Sequence, residues 1–382
     1  MIYKKFLCCV SLLLLSSCTF MTNTAPAPER LTDLLKQNLV LLPDNNFEHL
    51  PSDLKENEII FLGEIHKVIP LIQAAERFAV YLATSKPVVY AMELCYGLGP
   101  FVEAASLGHP KKAKQGWSSK YIQAFNSKQT ADRKILMTAI DIEHTIYHTK
   151  SDTVLFLQDL AGRSTSDVAR GIIQKEIPQL TTQDTFGKVK RYLKNLKGLF
   201  LQHFDTFSPE DQDEIVFSLD LLQASNRYHQ YDVAGGITEA LMRPWDIRQK
   251  YFTKTIKRAY RKAQKRKAVL LCRVGASHIN LGRKTEARYF ARDYSLTKGK
   301  VVTIRLAPLY YDTTKVDDAD AEKHSDIDSI VKVLMKDYKY SYLSLSELQQ
   351  NTNTSFKWSK YYSSSGPKYD GLLFVKIEEN SN

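Results

Sequence analysis

Six apolar runs of strand length most constrain what this chain can fold into. They span residues 58–63, 86–94, 134–142, 268–274, 300–306 and 371–377. Continuous apolar runs are typical of strands buried on both faces of a mostly parallel sheet. The run at 371–377 alternates less cleanly, and we expect it to be an edge strand.

Helical patterns separate these runs. The stretch "IPLIQAAERFAVYLATS" places Ile72, Phe78 and Leu82 on one helical stripe, so the first two strands and this helix form a βαβ unit. Between about residues 150 and 266 amphipathic helices dominate, and only "TVLFL" resembles a strand. We predict one α/β domain over 36–382, with a mostly parallel central sheet, helices on both faces and a helical insertion at about 150–266.

The first eighteen residues, "MIYKKFLCCVSLLLLSSC", have the pattern of an export signal. Two lysines precede an apolar segment that is too short to span a membrane, and small residues lead to Cys18. The ending "LSSC" resembles a bacterial lipobox, which predicts a signal peptide at 1–17, lipidation of Cys18 and a tether at 18–35. The protein is then expected in the bacterial cell envelope, anchored to a membrane by lipid. Thr19 is not a retention acid, which favours the outer membrane.

The distribution of charge restricts the binding partners, and the positions of the cysteines indicate their redox state. The formal net charge is +11, and part of it lies in the predicted helix "KTIKRAYRKAQKRK" at 254–267. No nucleic-acid module accompanies it, so we expect a solvated helix face, with contact to a membrane surface as the second interpretation and no nucleic-acid partner. Cys95 and Cys272 lie in apolar runs and are expected to be buried and reduced, although an oxidising compartment would permit a disulfide.

Ionisable residues recur where the predicted strands end. The carboxyl ends of parallel strands form the ligand crevice of an open α/β sheet. Four strands deliver acids or histidines to this edge: Glu64, His66, Glu93, Asp141, Glu143 and His278. Each residue alone has an ordinary interpretation as a cap or ion-pair partner, and their recurrence at one edge is what predicts a functional cleft.

The order of several short motifs resembles the erythromycin esterase and ChaN-like superfamily. The motifs are "GEIH", "MEL", "AIDIEH", "MRPWDIRQKYFTKTI", "GASHI" and "YDGLLFV". The resemblance covers residues 58–375 and implies an α/β fold whose cleft is lined by paired glutamates and histidines. It implies Glu64, His66, Glu93 and His278 as catalytic residues, with Arg243 as the arginine that opens the family's helix. The "GEIH" spacing is similar to the haem-uptake lipoprotein branch, whereas "AIDIEH" and "MRPWDIRQ" are similar to the esterase branch.

These residue types suit hydrolysis of a small-molecule substrate. A neutral histidine such as His66 can deprotonate water, and Glu64 or Glu93 can orient it. His278 and an arginine can stabilise the oxyanion of an attacked ester. No G-x-S-x-G nucleophile elbow is present, which disfavours a serine hydrolase.

Two rival functions use the same residues. Glu64, His66, Glu93 and His278 would also suit a divalent transition metal, and the resemblance extends to Tiki-type metalloproteases. Alternatively, the protein binds haem or a metal without catalysis, and a third interpretation is a degenerate cleft in a structural lipoprotein.

Two further patterns are given ordinary interpretations. His144 and His148 are spaced by one helical turn, and we expect surface histidines rather than metal ligands. Gly97 and Gly99 are turn glycines rather than a dinucleotide-binding loop, because Pro100 follows and a third glycine is missing.

Overall fold

The computed structural model describes residues 28–43, 46–107, 134–142, 152–177, 186–232, 242–310, 326–352, 359–364 and 366–378. The predicted signal peptide and Cys18 lie outside these residues. Among the described helices, none combines the length and apolar character that crossing a membrane requires.

The core of the fold is an eight-stranded sheet with strand order β1-β7-β10-β6-β2-β5-β3-β4. Its strands are β1 (Leu39–Leu42), β2 (Ile59–Glu64), β3 (Val88–Cys95), β4 (Ile135–Asp141), β5 (Val269–Gly275), β6 (Val301–Tyr310), β7 (Tyr340–Ser344) and β10 (Gly371–Ile377). A separate two-stranded ribbon joins β8 (Tyr362–Ser363) to β9 (Gly366–Pro367). The six predicted strands are all present, whereas β1 and β7 were not predicted.

Strand pairing is parallel from β10 through β6, β2, β5 and β3 to β4, and only β7 and β1 are antiparallel to their neighbours. This confirms the mostly parallel sheet. The expectation that 371–377 is an edge strand is wrong, because β10 pairs with β6 on one side and with β7 on the other.

Helices cover both faces of the sheet, as predicted. Those of eight or more residues are α1 (Pro28–Asn38), α2 (Ile69–Ala83), α3 (Gly99–Ser106), α4 (Asp152–Ala161), α5 (Asp167–Glu176), α6 (Phe186–Gln202), α7 (Pro209–Asp232), α8 (Met242–Lys265), α9 (Asp326–Leu334) and α10 (Leu345–Thr352). One apolar cluster joins Phe78 of α2 and Leu193 of α6 to the sheet. A second cluster on the other side includes Leu35 of α1 and Phe252 of α8.

One predicted strand and one predicted segment boundary differ from the structure. The stretch "TVLFL" lies in the helix α4, where Val154, Leu157 and Ala161 are buried at helical spacing, so the predicted strand is wrong. A short apolar run cannot be assigned to strand or helix by periodicity alone. The predicted tether at 18–35 is also too long, because α1 begins at Pro28 and buries Leu31 and Leu35 in the core.

The helical segment before β5 has two parts. The described residues between 152 and 232 are helices and turns, as expected for the predicted insertion. The last helix, α8, instead packs on β3, β4 and β5 and belongs to the layer that covers the sheet. Its buried residues, including Phe252 and Ile256, follow a helical stripe that faces the strands.

The position of β5 determines how the candidate site is assembled. β2 and β3 are parallel but not adjacent, because β5 lies between them and pairs with both. Since all three strands run in the same direction, their carboxyl ends meet at one edge of the sheet. That edge brings together the residues that follow each strand.

Candidate active site

The carboxyl ends of β2, β3 and β5 place Glu64, Glu93 and His278 together. Glu64 is the last residue of β2 and lies opposite Gly275, the last residue of β5. Glu93 lies where the pairing register between β3 and β4 shifts, between Met92 and Cys95. His278 lies in the short helical turn Ala276–Ile279 that follows β5.

His66 lies between two buried carboxylates. Its Nδ1 atom is 3.6 Å from Oε1 of Glu64, and its Nε2 atom is 3.7 Å from Oε2 of Glu93. The His66 side chain is 55% exposed, whereas those of Glu64 and Glu93 are 6% and 8% exposed. The next residue, Lys67, has a φ of +67°, a conformation that is uncommon for a non-glycine residue and turns the chain towards α2. The ring of His66 is therefore open to solvent at the top of a buried acidic pair.

The pKa of His66 is raised above 6.5. Interaction with Glu64 is the largest cause, and it outweighs the partial burial that acts in the opposite direction. The negative charge of Glu93 raises the pKa further. Both carboxylates therefore stabilise the imidazolium relative to the neutral ring.

Glu93 connects the other groups of the site. Its Oε1 accepts a hydrogen bond of 2.6 Å from Nη2 of Arg248, and its Oε2 accepts one of 2.6 Å from the backbone N–H of Gly275. Nε2 of His278 lies 3.4 Å from Oε1. Burial raises the pKa of Glu93, but the interactions with His278 and the Gly275 N–H outweigh it and lower the pKa below its usual value. Glu93 is therefore held as a carboxylate.

His278 is a buried cation rather than a second base. Its Nδ1 atom is 3.0 Å from Oε2 of Glu286, and the two side chains are 4% and 1% exposed. The Phe252 ring packs edge-on against it, with centroids 4.9 Å apart. Burial lowers the pKa of His278, but Glu286 and Glu93 together raise it to about 9. At neutral pH the ring therefore carries a proton on both nitrogens, one facing each glutamate.

Arg248 of α8 reaches the site from the helix layer. Its guanidinium donates to both carboxylate oxygens of Asp141, over 3.1 and 2.6 Å, as well as to Glu93. Asp141 is fully buried at the end of β4. Arg243 lies one turn earlier in α8, and its side chain is outside the described residues. Arg248 precedes Phe252 by one turn, on the side of α8 that carries its buried residues. This helical spacing was the sequence signal that could have identified Arg248 as a site residue.

A second arginine supports Glu64 from the buried side. Nε of Arg273, in β5, lies 3.6 Å from Oε1 of Glu64, and its guanidinium lies over the ring of Tyr90 at 5.8 Å. Glu76 of α2 is a further ionisable group near Arg273, and burial raises its pKa to about 7. An arginine within a strand that is otherwise apolar was a sequence signal for this role.

The charges of the innermost groups nearly balance. Four carboxylates face three cations: Glu64, Glu93, Asp141 and Glu286 against Arg248, Arg273 and His278. Among these seven groups one negative charge is in excess while His66 is neutral. Glu76, with a pKa of about 7, adds to the excess when it ionises, and a proton on His66 reduces it. This balance favours a proton acceptor at His66.

The same residues form a poor metal site. In the described part of the chain, no group of three or more His, Cys, Asp or Glu side chains is arranged to hold a metal ion. Both nitrogens of His278 face carboxylates, and both oxygens of Glu93 accept hydrogen bonds from protein donors. Metal ligation would require these contacts to break, so the described geometry lends the metal alternative no support.

Three predicted residues lie outside the described part of the chain, and Glu286 joins Arg248 and Arg273 among the site residues that were not predicted. Glu143, His144 and His148 lie outside the described residues. Glu286 was not predicted because it follows no strand and belongs to no motif, although it is the partner of His278. Neither Cys95 nor Cys272 forms a disulfide. Cys272 is fully buried as expected, whereas Cys95 is only half-buried, so the expected burial of Cys95 is wrong.

In sequence, the chain matches no family model and none of the curated proteins compared with it. Its fold, in contrast, is that of the erythromycin esterases, and this confirms the predicted fold class. A mutant of an erythromycin esterase in its open conformation superposes with a TM-score of 0.60 at 12% identity, over 88% of this chain and 97% of that chain.

A succinoglycan biosynthesis protein superposes equally well, with a TM-score of 0.60 at 12% identity over 92% of this chain and 98% of that chain. ChaN of Campylobacter jejuni, which binds cofacial haem, reaches a TM-score of 0.32 at 10% identity over 71% of this chain and 90% of that chain. That last similarity is too low to support an argument about function.

Proposed function

We propose that the protein is a hydrolase of the erythromycin esterase-like type, in which His66 is the general base that activates water. One observation carries the proposal: the exposed ring of His66 is held between two buried carboxylates, Glu64 and Glu93. A base needs access to water and a stabilised protonated form. His66 has both, whereas His278 is buried and already cationic.

The proton and the bonds can be followed through the reaction. Neutral His66 removes a proton from water while the water oxygen attacks the carbonyl carbon of an ester. The imidazolium that forms lies between the carboxylates of Glu64 and Glu93, as in hydrolytic triads. When the tetrahedral intermediate collapses, the alkoxide leaves and takes the proton from His66. No covalent bond to the protein forms.

Arg248 and His278 have an indirect role in this proposal. Both donate to Glu93, and Arg248 also neutralises Asp141. They keep Glu93 ionised beside His66, so that its negative charge is available to stabilise the imidazolium. Electrostatic groups that are fixed before the reaction cost no reorganisation at the transition state.

The proposed substrate class is a small-molecule ester, which agrees with an erythromycin esterase as a structural neighbour. The proposed location is the bacterial cell envelope, most simply the outer membrane, with the chain attached through lipid on Cys18. Mass spectrometry of the membrane fraction would test the lipid: a mature chain that begins at an unmodified residue would contradict it.

The first experiment measures hydrolysis of a panel of esters, lactones and peptides by a chain that begins at Thr24. Three proteins are compared: wild type, His66→Ala, and His49→Ala as a matched control, because His49 is an exposed histidine in the turn Phe47–His49. We expect His66→Ala to lose turnover by a factor of about 10²–10⁴, the usual contribution of a general base. His49→Ala should retain full activity.

The remaining outcomes discriminate between the rival functions. Full activity in a folded His66→Ala protein would contradict the proposal. If a chelator abolishes the activity of the wild type, the activation of water would be assigned to a metal ion instead of to His66 alone. If no substrate is hydrolysed, haem titration follows, and a Soret shift that is lost in His66→Ala would favour the haem-binding alternative.

A further inference from the structure

The outward face of α8 carries a line of basic residues. Lys250, Lys254, Lys257 and Arg261 are spaced by four, three and four residues, so they lie on one side of the helix. At 1.5 Å per residue the line is about 16 Å long. Lys250, Lys254 and Arg261 are exposed, and Lys257 is half-buried. We call these four residues the basic stripe.

Other basic residues of α8 are neutralised within the protein, and this sets the basic stripe apart. Arg258 pairs with Asp213 and Glu214 of α7. Further along the helix, Lys262 pairs with Glu103 at 2.5 Å. Within the described ranges, none of the four stripe residues forms an ion pair with a carboxylate. Their charge is therefore available to an external partner.

Two tyrosine rings lie beside the basic stripe, and an exposed leucine follows the second of them in the chain. The Lys257 ammonium is 4.8 Å from the ring centroids of both Tyr289 and Tyr294, which stack on each other at 5.9 Å. Two residues beyond Tyr294, Leu296 is 54% exposed. Cations and tyrosines in contact, with an exposed apolar side chain two residues away, are a combination typical of proteins that meet the interfacial region of a bilayer.

The groove next to the basic stripe does not cancel the charge of the stripe. A groove of about 410 Å³ runs from Lys250 to the segment that follows β5, where Lys284 and Arg288 line it. Two acidic residues, Asp246 and Asp293, also line the groove. Lys250 already belongs to the basic stripe, so the groove adds two cations and two carboxylates and leaves the net charge of the stripe unchanged.

We propose that the basic stripe, with Tyr289, Tyr294 and Leu296, is a docking surface for a bilayer that contains anionic lipid. The apolar Leu296 favours lipid over nucleic acid, which would be recognised by charge and by base stacking. The predicted lipid at Cys18 would already hold the chain at a membrane. The inference does not depend on the proposed hydrolase activity, because the basic stripe lies on the face of α8 opposite to Arg248.

The test measures cosedimentation with vesicles of phosphatidylcholine, with and without phosphatidylglycerol, at physiological ionic strength. The chain begins at Thr24 and so lacks Cys18, which removes the effect of the predicted lipid while retaining every described element. The stripe variant is K250Q/K254Q/R261Q. The matched control, K190Q/R191Q/K194Q, removes the same charge from exposed positions of α6.

Each basic residue at an anionic surface changes the partition coefficient about fivefold, so we expect the stripe variant to lose roughly 100-fold in binding. The control variant should lose less than about fivefold, because its charges are not on the docking surface. Leu296→Ser should weaken binding to vesicles and leave thermal unfolding unchanged. Added salt should release the wild-type protein.

Four results would overturn the proposal. They are no binding of wild type to anionic vesicles, equal binding to neutral vesicles, equal losses in the stripe and control variants, and an unchanged affinity in Leu296→Ser. Tighter binding to DNA than to anionic vesicles at the same ionic strength would instead assign the basic stripe to nucleic acid.

Discussion

Arg248 is the residue on which the charge balance of the site most depends. Its side chain is 14% exposed and binds two carboxylates, of which Asp141 is completely buried and Glu93 nearly so. The two acids are held ionised in a region of low solvent access by this one guanidinium and its neighbours. Removal of one partner from a buried ion pair leaves the other charge without compensation.

We therefore predict that Arg248→Gln lowers the free energy of unfolding by about 3–5 kcal/mol. Arg163→Gln is the matched control, because Arg163 also binds two carboxylates, Asp159 and Asp211, but is 39% exposed. It should cost less than about 1 kcal/mol, as for surface ion pairs. Urea denaturation measures both values. Equal losses in the free energy of unfolding would mean that burial does not make the ion pairs of Arg248 more important for stability than those of Arg163.

His278 makes stability depend on pH in the alkaline range. Its pKa in the folded protein is about 9, above the ordinary 6.5. A group with a raised pKa contributes its full stabilisation below the unfolded value and loses it as the pH rises through the folded value. The stabilisation should therefore be complete below pH 6.5 and disappear by about pH 9, in total about 3 kcal/mol.

The measurement is urea denaturation of wild type and His278→Gln across that pH range. We expect the free energy of unfolding to fall with pH in wild type and to fall much less in the variant. Parallel curves for the two proteins would show that another group causes the dependence.

At the scale of elements, the ends of β2, β3 and β5 set the geometry around His66. The backbone of β5 at Gly275 passes so close to the site that a Cβ atom there would lie 2.9 Å from Nε2 of His66 and 3.5 Å from Oε2 of Glu93. A glycine at this position therefore leaves the space that the ring occupies. The end of one strand controls the orientation of a side chain that follows another.

Gly275→Ala should displace His66 and lower turnover by at least about tenfold, because misplacing a catalytic group by about 1 Å is costly. The free energy of unfolding should change little, since the exposed ring of His66 can move into solvent. Gly171→Ala is the control: a Cβ atom there meets nothing within 4 Å, and activity should be unaffected. Unchanged turnover in Gly275→Ala would contradict the role assigned to His66.

The elements differ in how well local sequence predicts them. The ends of β2 and β5 were predicted within about one residue, because a continuous apolar run indicates a strand that is buried on both faces. β7 was missed because Ser341 interrupts its apolar character although it is fully buried. The edge-strand expectation for β10 failed because its neighbour β7 could not be recognised.

Local sequence also predicts only part of the candidate site. Glu64, Glu93 and His278 follow or end predicted strands, so parallel pairing alone brings them together. Glu286 reaches the site from the short helix Glu286–Arg288, and Arg248 reaches it from α8, which packs on the sheet. Their contribution depends on tertiary packing, and only the helical spacing of Arg248 was visible in the sequence.

At the scale of the whole molecule, α1 belongs to the folded domain. Leu31 and Leu35 are buried at 1% and 0% exposure in the cluster that also contains Phe374 of β10. Two fully buried leucines represent several kilocalories of stabilisation. The N-terminal segment therefore packs against α9 and α10 as part of this cluster.

Deletion of 28–38 should lower the unfolding temperature strongly, whereas a chain that begins at Thr24 should unfold like the longer protein. Leu35→Ala should cost about 2–5 kcal/mol, as for other buried leucines. Thermal unfolding monitored by circular dichroism checks both. A deletion variant as stable as the chain from Thr24 would show that α1 is dispensable, as the predicted tether implied.

The insertion of β5 between β2 and β3 has a consequence for synthesis of the chain. β3 ends at Cys95 and its partner β5 begins at Val269. At a translation rate of about 5–20 residues per second, β5 is synthesised on the order of ten seconds after β3. During this time β2 and β3 lack the strand that lies between them in the folded sheet. Their unpaired edges are open to aggregation during that interval. The nascent chain is therefore expected to rely on chaperones until its second half emerges from the ribosome.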